Sequence, residues 1–97
     1  MTVRFDVAAD ADISDAYTWY QKQKPGLGEE FIAALGHAVD LVCENPLAYP
    51  VIDQLAHRCV LRRFPYCLYF VIQGDVIRVV ACMHGKRDPI VWRRRLG

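Results

Sequence analysis

The second half of this 97-residue chain is almost without acid: from Arg58 to Gly97 only Asp75 and Asp88 carry negative charge. Other absences exclude whole classes of function. No apolar run approaches the roughly 20 residues of a membrane-spanning helix. The stretch Met1-Thr2-Val3-Arg4-Phe5-Asp6 lacks the basic and apolar regions of a signal peptide, so a cytoplasmic location with no membrane partner is expected. GxGxxG, Walker, HExxH and GxSxG motifs are missing, as are repeats and low-complexity blocks; no cofactor is expected. Cys43, Cys59, Cys67 and Cys82 stand 16, 8 and 15 positions apart with no C-x-x-C pair, which argues against a bound metal. Three of them fall in strand-like runs and are expected as buried, reduced thiols acting as small hydrophobes.

What is present describes a folded chain. A hydrophobic fraction of 54% and a charged fraction of 24% are those of a globular protein. The length fits one domain over residues 1–97, near the lower limit for a core without disulfides or metals. The formal net charge of +1 hides two opposed halves. Residues 1–57 hold three basic and nine acidic side chains, a balance of −6, and residues 58–97 hold nine basic and two acidic, a balance of +7. Eight of those nine cations are Arg, whose planar fork engages carboxylates and phosphates bidentately. An acidic partner for the second half is the expectation, with mutual pairing of the two halves as the alternative.

Alternation of Val3, Phe5 and Val7 predicts a first strand from Val3 to Ala8. Asp10 or Asp12 then caps a helix with an apolar stripe at Ile13, Ala16, Tyr17 and Tyr20, ended by Pro25-Gly26. Leu27, Phe31, Ala34, Leu35, Ala38, Val39 and Val42 trace a second helix, closed by Asn45-Pro46. The two form an antiparallel hairpin. Leu47 to His57 shows no clear period and reads as a loop. Three strands follow: Arg58–Arg63, Tyr66–Ile72 after a turn at Phe64-Pro65, and Val76–Met83 after the hairpin turn Gln73-Gly74-Asp75. The expected fold is therefore α+β: an N-terminal strand, a helical hairpin and a three-strand antiparallel meander, with the helices on one sheet face. A short basic tail begins near Asp88-Pro89.

Strand alternation places Arg58 and Arg62 on one face. Arg78, with His84, Lys86 and Arg87 past the last strand, is expected to extend them into a cationic concavity on the sheet face opposite the helices. His84 is the one histidine positioned for proton transfer near neutrality; His37 and His57 default to structural roles. Trp19 lies off the first helix's buried stripe and suits a protein interface, and Trp92 fits the edge of the core.

The ordered set Leu61-Arg62-Arg63-Phe64-Pro65-Tyr66, Leu68-Tyr69-Phe70, and His84-Gly85-Lys86-Arg87-Asp88-Pro89 with Trp92 and Arg95 resembles the RelE/ParE toxin superfamily. Asp12-Ile13, Trp19-Tyr20, Pro25-Gly26-Leu27-Gly28 with Phe31, and Asn45-Pro46 before Tyr49-Pro50 resemble the hairpin of its ParE-like members. The resemblance implies a toxin of a type II toxin–antitoxin pair, neutralised by a ParD- or RelB-like antitoxin whose acidic C-terminal segment folds on binding. Two targets follow from it: DNA gyrase, inhibited without catalysis by ParE-like members, or mRNA cut on the ribosome by RelE-like members. The second would make the chain an endoribonuclease. Arg62 and Arg87 fall on positions that are basic in the nucleases, Arg58 on a Lys position, and Trp92 close to a Tyr. Cys67 and Val60 stand where the nucleases carry Arg and Lys. Arg62, His84 and Arg87 are the catalytic candidates for a nuclease, and Arg58, Arg62, Arg78, Lys86, Arg87, Trp19 and Trp92 the binding candidates. The balance favours the ParE-like, non-nuclease reading.

Overall fold

The structure, a computed structural model, describes residues 1–96. Strand β1 (Thr2–Phe5) leads into helices α1 (Val7–Gln23) and α2 (Leu27–Glu44). A 3-10 turn (Pro46–Ala48) precedes β2 (Val51–Asp53), β3 (Ala56–Val60), β4 (Tyr66–Gln73), β5 (Val76–His84) and the one-turn helix α3 (Ile90–Arg93). The five strands lie in the order β1-β5-β4-β3-β2, antiparallel except that β1 runs parallel to β5. The expected α+β order is present.

Helix α1 begins at Val7, before either expected cap. Asp6, in extended conformation (ψ 152°), is its N-cap, and its carboxylate is held by Arg78 instead of by the helix's own N–H groups. Val7 continues the apolar alternation of β1 yet is 87% exposed, so the strand pattern overran the first helical turn. The turn between the helices needs Gly26, whose φ of +91° is strained for any residue with a Cβ. Two residues on, α2 crosses α1 so closely that a Cβ on Gly28 would lie 2.7 Å from Gln21 Oε1 and 2.8 Å from the Tyr17 ring. Gln21 uses this approach to accept the Gly28 N–H at 2.9 Å.

The stretch read as a loop contains β2 and the start of β3. It escaped detection because β2 is a three-residue edge strand with an irregular register on β3, carrying one exposed and two half-buried side chains. His57 is buried and stacks on Phe70 at 5.1 Å, with its Nδ1 2.9 Å from Tyr49 O.

Each sheet face carries its own core. On one, Ala16 and Tyr20 of α1 and Phe31 and Leu35 of α2 pack on Leu68, Phe70, Val79 and Cys82. On the other, Trp92 of α3 stacks on Tyr69 (4.8 Å, 15° between planes) beside Val71, Ala81 and Met83. The basic tail is thus a lid on the sheet, with Asp88 Oδ1 accepting the Ile90 N–H at its start. Cover on both faces explains why β4 and β5 read as near-continuous apolar runs. Cys59, Cys67 and Cys82 are buried and unbridged, and Cys43 is half-buried.

Candidate partner-binding cleft

Strand β1 pairs with β5 only from Val76 to Val79. Past that point the outer edge of β5 has no neighbouring strand, and two side chains occupy its backbone groups. Asp12 Oδ2 accepts the Cys82 N–H at 3.0 Å, and Arg95 Nη1 donates to Val80 O at 3.0 Å. The two are bound to each other, Nη1 to Oδ2 at 2.6 Å and Nη2 to Oδ1 at 3.2 Å. One residue from α1 and one from the tail therefore close the edge where β1 stops.

Beyond this closure α1 stands away from β5 and leaves a cleft of about 460 Å³. Asp12, Asp15, Ala16, Trp19 and Tyr20 form its helical wall, and Pro65, Tyr66, Cys82, Met83, His84 and Arg87 form the other. Trp19 is 55% exposed and meets Tyr20 edge-on at 5.0 Å. The His84 ring sits against Tyr66 at 5.8 Å, and its Nδ1 accepts the Lys86 N–H at 3.1 Å, which leaves Nε2 to carry the proton of the neutral ring. Burial pushes the Tyr66 phenol above its ordinary pKa, as does the nearby Cys82 thiol, while the Arg87 cation pulls it back. Burial, with the Asp12 carboxylate and Cys67 adding to it, pushes the Cys82 thiol up to about 12. That thiol is neutral and unreactive at physiological pH.

The candidate residues do not gather into a single concavity on the face opposite the helices. His84, Arg87 and Trp19 line the cleft beside α1, with Lys86 adjoining. Arg78 does lie across the sheet, but its guanidinium grips Asp6 through three hydrogen bonds of 2.8 to 3.0 Å. Arg58 pairs in register with Tyr69, on the face that α3 covers. Arg62 lies in the β3–β4 loop, because β3 ends at Val60, so strand alternation does not set its direction. Trp92 is 3% exposed and belongs to the second core, which removes it from the accessible binding candidates.

Pairing of the two halves takes up four of the nine second-half cations. Arg63, Arg78, Arg93 and Arg95 bridge to Glu30, Asp6, Asp53 and Asp12. Among the described residues Arg58, Arg62, Lys86, Arg87 and Arg94 form no ion pair. The Asp12–Arg95 and Asp6–Arg78 pairs had no sequence signal, since no spacing rule links residues so far apart.

The arrangement is that of a solved toxin–antitoxin structure. A chain of the "Chromosomal ParDE TA system from P. aeruginosa" superposes with a TM-score of 0.77 at 17% identity, over 87% of this chain and 95% of that one. At that identity the likeness establishes the fold. No curated protein sequence matches the chain. The model of the family described as "ParE toxin of type II toxin-antitoxin system, parDE" matches residues 3–89. The chain belongs to the ParE toxin family, within the RelE/ParE superfamily. Among the described residues no helix is long and apolar enough to cross a membrane.

Proposed function

We propose that this protein is a cytoplasmic toxin that acts by binding rather than by catalysis, with DNA gyrase as its target, and that a cognate antitoxin encoded beside it holds it inactive. The observation that carries the non-nuclease reading is the chemistry at Val60 and Cys67. RNA cleavage by 2′-hydroxyl attack needs a base, a cation on the phosphorane and an acid for the leaving oxygen. Val60 supplies none of these. The Cys67 side chain is buried, and burial pushes its thiol above the ordinary range, so it stays neutral. Arg78 is committed to Asp6.

His84 and Arg87 share the cleft with Tyr66, which keeps ribosome-dependent mRNA cleavage as the second reading. Two assays separate the readings. Purified chain added to gyrase and relaxed plasmid is expected to block supercoiling or trap cleaved DNA, and added antitoxin to restore activity. Purified chain added to ribosomes translating a defined message is expected to leave it intact. Cut message that disappears in His84→Ala, with gyrase unaffected, would overturn the proposal in favour of the nuclease.

A further inference from the structure

We infer that Arg62, Lys86 and Arg87 form a phosphate-binding surface at one end of the sheet, through which the chain grips the duplex DNA that gyrase carries as well as gyrase itself. This rests on the reading above that gyrase is the target.

The two segments that carry these cations are built as one unit. The β3–β4 loop, residues 61–65, is closed by the Leu61 N–H donating to Tyr66 O at 2.9 Å. Buried Phe64 anchors it, with its ring edge-on to Tyr20 at 4.9 Å and to Phe31 at 5.5 Å. The segment after β5 turns through the Arg87 N–H donating to His84 O at 2.9 Å, and the Gly85 N–H donating to Pro65 O at 2.8 Å joins it to the loop. Side chains displayed from a preordered backbone lose less freedom on binding than those of an unstructured tail. Arg63 turns at φ +68° and is taken by Glu30 of α2. Arg62, Lys86 and Arg87 are exposed and form no ion pair among the described residues. The one acid in these segments, Asp88, accepts the Ile90 N–H with its Oδ1.

What the two segments expose decides the class of partner. Leu61 and Phe64 are buried, and the exposed remainder is charged apart from Pro65 and Gly85. The centre of a protein interface is depleted of charge and anchored by aromatic side chains. A DNA interface is polar and strongly positive. Two of the three cations are Arg, whose planar fork matches a pair of phosphate oxygens. Asp15 on the helical wall of the cleft, without an ion pair among the described residues, repels phosphate from the interior. The DNA backbone therefore lies across the end of the sheet, outside the cleft. Three cations that each neutralise one phosphate give log K a slope of about −2.7 against log salt, so a fourfold rise in salt costs about 40-fold in affinity. A contact this small holds DNA only when the chain is already seated on the enzyme that carries it, where the effective concentration is high. It carries no sequence information.

The test titrates labelled full chain, freed of antitoxin, with gyrase alone and with gyrase already bound to a duplex, from about 50 to about 200 mM salt. The duplex is expected to tighten binding about tenfold or more at the lowest salt, whatever its sequence, and that gain to fall as salt rises. The triple variant Arg62→Gln, Lys86→Gln, Arg87→Gln is expected to lose the gain. Each single change is expected to reduce the salt slope by about 0.9, and these carry the test if the triple variant does not fold. Arg94→Gln, which removes an exposed cation of α3's end outside the two segments, is expected to leave the gain as it is. Equal affinity for gyrase with and without DNA, or a gain that the triple variant keeps, would overturn the inference while leaving the gyrase reading intact. Tighter retention on ribosomes than on DNA-bound gyrase, lost in the same triple variant, would assign the cations to RNA and overturn it likewise. Absence of binding to gyrase in either form would overturn both.

Discussion

Removing the Asp12 carboxylate tests whether the closure of the β5 edge is a principal stabilising contact. Asp12→Ala deletes two hydrogen bonds to Arg95 and one to Cys82 N–H, and leaves a guanidinium and a peptide N–H without their acceptor. A fully buried pair broken on one side costs about 3–5 kcal/mol. Here the side chains are 16% and 23% exposed, so water recovers part of that, and a loss of about 2–3 kcal/mol is expected. Arg95→Ala is expected to cost about 2 kcal/mol, since Asp12 keeps the Cys82 N–H while Val80 O loses its donor. Asp12→Asn retains an acceptor for both partners and should cost about 1 kcal/mol. The double alanine variant should lose about 3 kcal/mol, less than the two single losses together, giving a coupling of about 1–2 kcal/mol. Glu30→Gln provides the comparison: the Arg63–Glu30 pair is 69% and 43% exposed, and exposed pairs contribute about 0–1 kcal/mol. Urea denaturation followed by circular dichroism reads all five, with a slope of about 1–2 kcal/mol per molar urea for a chain this size. A loss under about 0.5 kcal/mol for Asp12→Ala, or strict additivity with Arg95→Ala, would refute the reasoning.

Arg78→Ala should be milder than Arg95→Ala, at about 1 kcal/mol, although its pair with Asp6 is similarly sheltered. The freed Asp6 carboxylate sits at the N-cap of α1 and can turn to the helix's own N–H groups; an equal or larger loss in the same urea assay would contradict this. Trp92→Ala removes the side chain stacked on Tyr69 and should cost about 3–5 kcal/mol, with protease sensitivity appearing first after Asp88. Alkali should destabilise the fold, because the Cys82 thiol is raised from an ordinary 9 to about 12. Its contribution is complete below pH 9 and is lost as pH rises from 9 toward 12, about 1 kcal/mol of it by pH 10. Tyr69, raised to about 12 chiefly by burial, acts in the same direction from pH 10 upward; Cys82→Ala should flatten the pH 9–10 part of a urea-midpoint profile, and an unchanged slope would exclude the thiol. Association with the antitoxin should slow with added salt, and Arg62→Glu with Lys86→Glu should lower the on-rate more than they raise the off-rate in stopped-flow measurements.

The parts of the fold legible in the sequence are those with one clear period. Helix α2 shows its buried face as Phe31, Leu35, Ala38 and Val42 because only that face meets the sheet. Strands β4 and β5 announce themselves by β-branched and aromatic density, and Gly74 at φ +63° marks the turn between them. Such runs cannot say that the second face is covered by residues 88–96, because a strand buried on both faces loses the alternation that would identify its cover. The cationic concavity failed for that reason: the face assigned to it holds Trp92. Trp19 and Arg87 were legible as accessible residues one at a time. Their meeting in one cleft depends on where β1 stops against β5, a register that a four-residue strand does not encode by itself.

The opposed charge of the two halves now has two separable uses. Four of the nine second-half cations close on first-half acids, and the two best sheltered of these pairs tie β5 and the tail to the start of α1. In this fraction each cation is matched by an anion at hydrogen-bond distance, 2.6 to 2.8 Å, which leaves little net field to steer a partner. The unpaired fraction is not scattered evenly. Arg62 lies in the β3–β4 loop, and Lys86 and Arg87 in the segment after β5, and these two segments are joined by the Gly85 N–H donating to Pro65 O at 2.8 Å. Three cations that have no acidic partner among the described residues therefore stand at one end of the sheet, beside the cleft. At physiological salt a charge is felt over about 8 Å, so an acidic segment meets the local field of this end and not the near-zero net charge of the whole chain.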